Sequence, residues 1–280
     1  MKVALAQINT TVGDIPGNEA KILAAYERAV AAGTDLVLAP ELALTGYPPR
    51  DLVLDNAFVG KNLEALERLA QKTGPTALVL GFIGRNEIQP GRKATNAIAL
   101  LQNGKVQATR TKTLLPTYDV FDEDRYFEPA KENLPVIFRE TKLGLTVCED
   151  LWNDEDFWDN RRYQRNPATE LAAGGVKLIL NTSASPWHLG KNQVRREMLS
   201  KLAAKSQCPV VYCNLVGAND ELIFDGASLV FNAMGELLAE GKMFAEDFLV
   251  IDLKTAASVP PATLADEEMG YRALVLGTRD

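Results

Sequence analysis

The sequence contains a single histidine, His188, and only three cysteines, Cys148, Cys208 and Cys213. One imidazole excludes most serine–histidine and cysteine–histidine catalytic designs, apart from those that use this one residue. The cysteines form an odd number and have neither the spacing of a zinc site nor that of a disulfide framework, which is typical of a reducing compartment. We therefore expect free thiols and no metal site.

Long apolar runs and basic clusters are also missing. No stretch reaches the roughly 18 apolar residues that a membrane span needs, and the N-terminal MKVALAQINTTVGD lacks the apolar core and cleavage site of a signal peptide. We expect a cytoplasmic protein without membrane attachment. The formal net charge of −7 and the absence of Lys/Arg clusters disfavour a nucleic-acid partner.

What the sequence does contain is an alternation of strand and helix patterns. Short apolar runs such as KVALAQI, DLVLAPE and TALVLGFIG predict strands, and apolar stripes over 22–30 and 59–70 predict helices between them. A further helix is predicted from about 191 to 205. Asn103-Gly104 separates two alternating runs and predicts a hairpin. Because hairpins require antiparallel pairs whereas βαβ units give parallel ones, the chain predicts a mixed α/β sandwich.

Three predicted strands end in a reactive side chain. Glu41 follows LVLAP, Lys112 ends the second strand of the hairpin, and Cys148 ends LGLTV. Catalytic groups are often held where a strand gives way to a loop. A thiol is mostly protonated at neutral pH, and the acids Glu149 and Asp150 disfavour the thiolate further. A buried glutamate as base and a nearby ammonium would supply what the thiol needs for acyl transfer through a thioester.

Each of these residues also has an ordinary structural interpretation. Free cysteine is among the most buried residue types, so Cys148 alone fits a core position as well as a nucleophile. Lys112 alone fits an exposed strand end. Cys208 and Cys213, in QCPVVYCN, are expected to fill the core, and His188 is expected to be structural.

Four segments together resemble the signature motifs of the nitrilase (carbon–nitrogen hydrolase) superfamily: LVLAPELALTGYPPRDL, TKTLLPTYDVFDEDRYFEP, LGLTVCEDLW and NTSASPWHLGK. More narrowly, they resemble the glutamine amidotransferase domain of glutamine-dependent NAD synthetases, over nearly the whole chain. The resemblance implies the superfamily's α-β-β-α sandwich and association through outer helices, hence a homo-oligomer. It also implies a nitrilase-like domain over 1–255, followed over 256–280 by a linker and the start of a helix toward an absent synthetase domain.

The resemblance assigns roles to individual residues. Glu41 is the general base, Lys112 the oxyanion stabiliser and Cys148 the nucleophile, and Glu123 in EDRYF helps to hold Lys112 and the substrate. A substrate-binding set is implied as well, in which Glu149 binds the α-ammonium of the substrate: Tyr118, Phe121, Glu149, Ser185 and Lys191.

The expected activity follows from this resemblance. L-glutamine is hydrolysed at its side-chain amide, and the ammonia serves an ATP-dependent synthetase domain that amidates deamido-NAD. No cofactor is expected in this domain, because ATP and Mg²⁺ belong to the absent one. Two alternatives stay open: a free-standing amidase acting on another small ω-amide, and a non-catalytic nitrilase-like domain that holds an oligomer together.

Overall fold

The computed structural model describes residues 1–280 and contains two six-stranded sheets. Strands are numbered in chain order. The first sheet is built from β1 Lys2–Gln7, β2 Leu36–Leu38, β3 Ala77–Arg85, β4 Ala94–Gln102, β5 Lys105–Thr111 and β14 Asp247–Asp252. The second is built from β6 Val136–Phe138, β7 Thr141–Val147, β8 Leu178–Ser183, β9 Val210–Asn214, β12 Leu229–Phe231 and β13 Leu237–Glu240. A separate hairpin consists of β10 Val216–Asn219 and β11 Leu222–Asp225.

Each large sheet has a parallel centre and antiparallel edges. The first has the order β14-β1-β2-β3-β4-β5, in which β1, β2 and β3 run parallel. The second has the order β13-β12-β9-β8-β7-β6, in which β7, β8 and β9 run parallel. The predicted hairpin joins β4 to β5, and both turn residues have positive φ, 51° at Asn103 and 76° at Gly104. Neither residue type is strongly penalised there, which is why this pair forms the turn.

Helices cover both outer faces of the paired sheets. Helices α1 Ile15–Ala31 and α2 Asn56–Lys72 pack on the first sheet, and α3 Pro167–Ala173 and α4 Lys191–Ser206 pack on the second. The inner faces meet in an apolar cluster that includes Leu5 and Leu38 from one sheet and Leu145 and Val211 from the other. The predicted α-β-β-α sandwich is confirmed.

The C-terminal helix α5, Asp266–Arg279, packs back onto the hairpin of β10 and β11. Its buried residues Ala273 and Leu276 belong to one apolar cluster with Val216 and Phe244. The predicted boundary at residue 255 stays a prediction, and the helix expected to lead toward another domain contacts this one. None of the helices combines the length with the apolar character that a membrane crossing requires. The apolar run PVVYCNLVG forms the separate strands β9 and β10, because the chain leaves the second sheet at Leu215.

Candidate active site

The three reactive strand ends meet at one end of the sandwich. Glu41 lies just beyond β2, Lys112 follows β5 directly, and Cys148 follows β7 directly. Lys112 Nζ donates to Glu41 Oε1 at 2.8 Å and to Glu123 Oε1 at 2.7 Å. Glu41 and Lys112 are 0% exposed and Cys148 is 5% exposed, so bulk water does not screen their charges.

Glu41 is held on both carboxylate oxygens. Oε2 accepts the backbone N–H of Ala184 at 2.8 Å, and Oε1 accepts from Asn96 Nδ2 at 2.7 Å as well as from Lys112. These donors come from both sheets, since Asn96 lies in β4 and Ala184 follows β8. The carboxylate is therefore fixed in orientation, as a proton acceptor in catalysis must be.

Lys112 lies between two carboxylates, because its Nζ donates to Glu123 as well as to Glu41. Burial raises the pKa of Glu123 to about 7, although the charge of Lys112 and the hydroxyl of Tyr47, which donates at 2.8 Å, oppose the shift. Burial alone would lower the pKa of Lys112, but the charges of Glu123 and Glu41 outweigh it and hold this pKa well above its ordinary value. Lys112 is therefore an ammonium at physiological pH.

Cys148 begins a 3₁₀ turn, Cys148–Leu151, with a φ of 38°. Positive φ is rare for a residue that carries a Cβ and is found at functional sites where the surroundings enforce it. Burial raises the pKa of this thiol, and the charges of Glu41 and Glu149 raise it further against the opposing charge of Lys112. Cys148 is thus a thiol at neutral pH and depends on a base to become a nucleophile.

Asp150, which sequence reasoning treated only as a charge beside the thiol, connects two of the strand ends. Its buried carboxylate accepts three backbone N–H groups: Thr113 at 2.9 Å, Leu114 at 2.9 Å and Val147 at 3.0 Å. The first two follow Lys112 and the third precedes Cys148. Burial raises the pKa of Asp150 to about 6 in spite of these bonds. One side chain therefore sets the position of Lys112 relative to Cys148.

Glu149 and Tyr118, both in the predicted substrate-binding set, are in direct contact. The Tyr118 hydroxyl donates to Glu149 Oε1 at 2.7 Å. A second hydroxyl, from Tyr163, donates to the same oxygen at 3.1 Å, and sequence reasoning missed this residue. Phe121 packs edge-on against Tyr118 with ring centroids 5.6 Å apart. Burial raises the pKa of Glu149, and the bond from Tyr118 is the largest effect that opposes this rise.

Ser185 and Lys191 lie on the α4 side of the site. The backbone N–H of Ser185 donates to Asn214 Oδ1 at 2.9 Å, and its Oγ lies 3.5 Å from Arg195 Nη2. Lys191 Nζ lies 4.2 Å from the centroid of the Trp152 ring. Burial, followed by the charge of Arg195, lowers the pKa of Lys191.

A buried ion pair that the sequence did not predict supports this side. Arg195 lies in α4 and Asp225 at the end of β11, and Arg195 Nη1 lies 3.1 Å from Asp225 Oδ2. The two residues are 0% and 1% exposed. Each fully buried charge needs such a partner. The Arg195–Asp225 pair therefore joins α4 to the hairpin of β10 and β11.

One cluster of acids has the proximity of a cation site. Asp154, Glu155 and Asp156 lie together on the segment after the cysteine turn. Lys205 Nζ contacts all three, at 3.1, 2.9 and 2.6 Å. The Lys205 ammonium therefore lies among the three carboxylates, where a cation would bind, and offsets part of their charge.

Comparison with known proteins shows the family of the chain. A carbon-nitrogen hydrolase family model matches residues 2–260. The chain therefore belongs to the carbon–nitrogen hydrolase family, as the sequence motifs indicated.

Within this family, the chain is similar to glutamine-dependent NAD(+) synthetases. The chain is 43% identical over 288 residues to a glutamine-dependent NAD(+) synthetase of Synechocystis sp., covering 99% of this chain and 52% of the relative. It is 42% identical over 257 residues to the Thermotoga maritima protein of the same name, covering 90% of this chain and 42% of that one. The chain thus spans about half the length of the curated relatives it matches.

The fold is similar to that of two kinds of solved structure, an NAD+ synthetase and an amidase. Glutamine-dependent NAD+ synthetase from Acinetobacter baumannii, solved with ADP, superposes with a TM-score of 0.89 and 33% identity, covering 100% of this chain and 51% of that one. An amidase from Nesterenkonia sp. superposes with a TM-score of 0.76 and 25% identity, covering 90% of each chain.

Proposed function

We propose that this chain hydrolyses the side-chain amide of L-glutamine and releases glutamate and ammonia, as the glutaminase part of a glutamine-dependent NAD synthetase. The observation that carries the proposal is the buried ion pair of Glu41 and Lys112 at the strand ends beside Cys148. The similarity to NAD synthetases supports the choice of glutamine over other amides.

The first step is attack by sulfur on the amide carbon. Because burial keeps Cys148 protonated, its proton has to leave as the C–S bond forms, and Glu41 accepts it. The transfer removes the repulsion between the carboxylate and the developing sulfur charge. The resulting tetrahedral oxyanion is stabilised by the Lys112 ammonium and by the backbone N–H of Glu149.

The second half of the cycle uses the same carboxylate in reverse. Protonated Glu41 donates its proton to the amide nitrogen, the C–N bond breaks, and ammonia leaves the thioester. Glu41 then takes a proton from water as the water oxygen attacks the thioester. When the C–S bond breaks, this proton returns to Cys148. The second proton of the water leaves with the product, whose side-chain carboxyl group ionises to give glutamate. One carboxylate performs both transfers, so no histidine is required.

Glu123 holds Lys112 during these steps. It contacts Nζ through both oxygens, at 2.7 and 2.9 Å. Its partner Tyr47 fixes the carboxylate in turn. Lys112 therefore keeps one position while charge appears and disappears on the substrate oxygen, which is what electrostatic preorganisation requires.

The far end of glutamine is an ammonium and a carboxylate. We assign the ammonium to Glu149, a residue that is 5% exposed and directly follows the nucleophile. Lys191 and Ser185 provide a cation and a hydroxyl for the substrate carboxylate, and Tyr118 and Phe121 provide an aromatic wall. This assignment explains why acids follow Cys148: Glu149 serves the substrate, and Asp150 serves the backbone.

A free-standing amidase is the second candidate, favoured by the structural likeness to the Nesterenkonia amidase. In a mutant of that protein, acrylamide has added at the active site cysteine. Simple amides carry no ammonium, so a buried carboxylate beside the nucleophile would have no substrate partner. Glu149 therefore favours an amino-acid amide.

Partners and location belong to the same proposal. The synthetase domain, acting in cis with ATP and Mg²⁺, receives the ammonia, and the protein works as a homo-oligomer in the cytoplasm. The three free cysteines support a reducing compartment.

Ammonia release tests the function directly. L-glutamine and butyramide are incubated with the chain and with Cys148→Ala, and ammonia is quantified. We expect release from glutamine that is absent in Cys148→Ala. Turnover of butyramide but not of glutamine would establish the amidase instead. Failure of a glutamine-like electrophile to add to Cys148, measured by intact mass, would show a non-catalytic domain.

A further inference from the structure

The segment 153–166, between the cysteine turn and α3, contributes a residue to the substrate side of the site. Tyr163 lies in this segment, is half-buried, and donates its hydroxyl to Glu149 Oε1 at 3.1 Å. Tyr118 donates to the same oxygen at 2.7 Å. Two hydroxyls thus meet on Oε1, and no protein group donates a hydrogen bond to Glu149 Oε2.

Tyr163 is held in this position by a buried amide. Asn153, which is 1% exposed, donates from Nδ2 to the backbone oxygens of Tyr163 at 2.8 Å and Arg165 at 2.6 Å. Asn153 Oδ1 accepts the backbone N–H of Tyr163 at 3.3 Å. The side chain of Asn153 therefore bonds both the backbone N–H and the backbone oxygen of Tyr163, as the backbone of a neighbouring strand would. Asn153 lies only five residues after Cys148, so the position of Tyr163 is tied to the cysteine turn.

The same segment also fixes the other tyrosine. The guanidinium carbon of Arg162 lies 3.8 Å from the centroid of the Tyr118 ring, a cation–π distance. Phe121 closes another side of that ring. Both hydroxyls on Glu149 thus come from side chains that segment 153–166 positions, so this segment acts as a wall of the site.

We propose that Tyr163 is a specificity-determining positioning residue, which orients the Glu149 carboxylate with one oxygen free for the α-ammonium of an amino-acid amide. This inference rests on the proposed function. Two donors on Oε1 leave Oε2 as the free acceptor of the carboxylate. An α-ammonium gains most from this oxygen, because it donates a hydrogen bond and also compensates the buried negative charge. An amide of the same length without the ammonium gains nothing from it.

Binding to a chain that cannot turn over is the sharpest test. In the Cys148→Ala background, the dissociation constants of L-glutamine and of glutaramate, which is glutamine without its α-amino group, are measured by calorimetry with and without Tyr163→Phe. The Tyr163 hydroxyl acts on the substrate only through Glu149, so part of the value of its hydrogen bond should be lost from binding. We expect Tyr163→Phe to weaken glutamine binding about 5- to 20-fold. Glutaramate binding should change by less than about 2-fold, since it makes no contact that depends on Glu149.

Tyr126→Phe is the matched control. Its hydroxyl also donates to a carboxylate, Asp51 Oδ1 at 2.9 Å, but at the surface. We expect it to leave both dissociation constants unchanged. Thermal unfolding of Tyr163→Phe checks that the fold is kept.

The outcomes separate this inference from the proposed function. Equal weakening of glutamine and glutaramate would mean that Tyr163 only supports the fold of the site, and no weakening of either would mean that it does nothing there. Either result overturns the inference, while ammonia release from glutamine by the chain with its native Cys148 would still support the function. A Cys148→Ala chain that binds no glutamine would overturn the inference as well.

Discussion

Replacement of Asp150 by asparagine tests the internal geometry of the site. Oδ1 of Asp150 accepts two backbone N–H groups and Oδ2 accepts the third, from Val147. Asparagine keeps the shape of the side chain and one acceptor oxygen. We expect this oxygen to accept the N–H groups of Thr113 and Leu114, as Oδ1 of Asp150 does. The amide nitrogen of the asparagine then faces the N–H of Val147, so two donors oppose each other immediately before Cys148.

The magnitude follows from the cost of a buried donor without an acceptor. One unsatisfied backbone N–H costs about 1–3 kcal/mol, so we expect Asp150→Asn to lower the free energy of unfolding by about 2 kcal/mol. Asp150→Ala leaves all three N–H groups unpaired and should cost about 3–6 kcal/mol, less than three independent losses because neighbouring groups relax together. The catalytic effect should exceed the loss of stability, since a small displacement between nucleophile and oxyanion donor can cost about 100-fold in rate.

The assay combines urea unfolding with glutamine turnover. For Asp150→Asn we expect kcat to fall by at least about 10-fold, with KM changing by less than about 3-fold, because Glu149 and its hydroxyl donors are untouched. Asp55→Asn is the control: Asp55 caps α2 by accepting the N–H of Ala57 at 2.8 Å, and asparagine caps a helix equally well. An Asp150→Asn protein with native kcat would refute the view that this carboxylate sets the distance between the strand ends.

Three further predictions concern the charged residues beside Cys148. Glu41→Gln should lower kcat by about 10²- to 10⁴-fold while the protein stays folded, because it removes the base alone; near-native turnover would assign the proton transfer to another group. Lys112→Met should lower the free energy of unfolding by about 3–5 kcal/mol, measured in urea, because two buried carboxylates lose their counter-ion; a variant as stable as the native chain would contradict this. Since burial raises the pKa of Glu123 from 4.5 to about 7, its protonation stabilises the fold most at low pH, and this contribution is lost as pH rises through about 7. The free energy of unfolding between pH 5 and 8 should therefore fall by about 1–3 kcal/mol more for the native chain than for Glu123→Gln, and parallel curves would refute the shift.

The sequence predicted the features that local patterns encode. The central strands, the helices α1, α2 and α4, and the Asn103-Gly104 turn follow from hydrophobic period and turn chemistry. Helix α3 was missed although its signal is present, since Asn166 accepts the N–H of Thr169 at 3.2 Å as N-cap and Pro167 takes the first position.

Other features could not be predicted, because they depend on contacts between distant parts of the chain. β1 pairs with β14 across almost the whole sequence, from Lys2 opposite Asp252 to Gln7 opposite Asp247. Nothing local distinguishes Arg195, which is fully buried, from Arg196 beside it, which has an exposed side-chain fraction of 19%.

Some site residues could be predicted from local sequence motifs, and others could not. The motifs predicted Glu41, Lys112 and Cys148 as site residues because each belongs to a recognisable segment, and the fold brings these three strand ends together. The supporting contacts of Asp150 and Tyr163 were missed, since an acid that binds backbone N–H groups, or a tyrosine in a polar loop, has no signature of its own. Such supporting residues are recognised only once the fold brings their partners together.

The proposed mechanism uses no histidine, and this has a physical consequence for the pocket. A fully buried site pays heavily for any net charge created during reaction, because the surrounding dielectric is low. In the proposed mechanism, transfer of the thiol proton to Glu41 would move the negative charge from the carboxylate through sulfur to the substrate oxygen. Lys112, 2.8 Å from Glu41 Oε1, would stabilise the charge at both places. The charge of the pocket is the same before and after each step, so a carboxylate, an ammonium and a thiol suffice. A neutral imidazole in the place of Glu41 would instead become cationic beside Lys112, adding a second positive charge to the buried pocket.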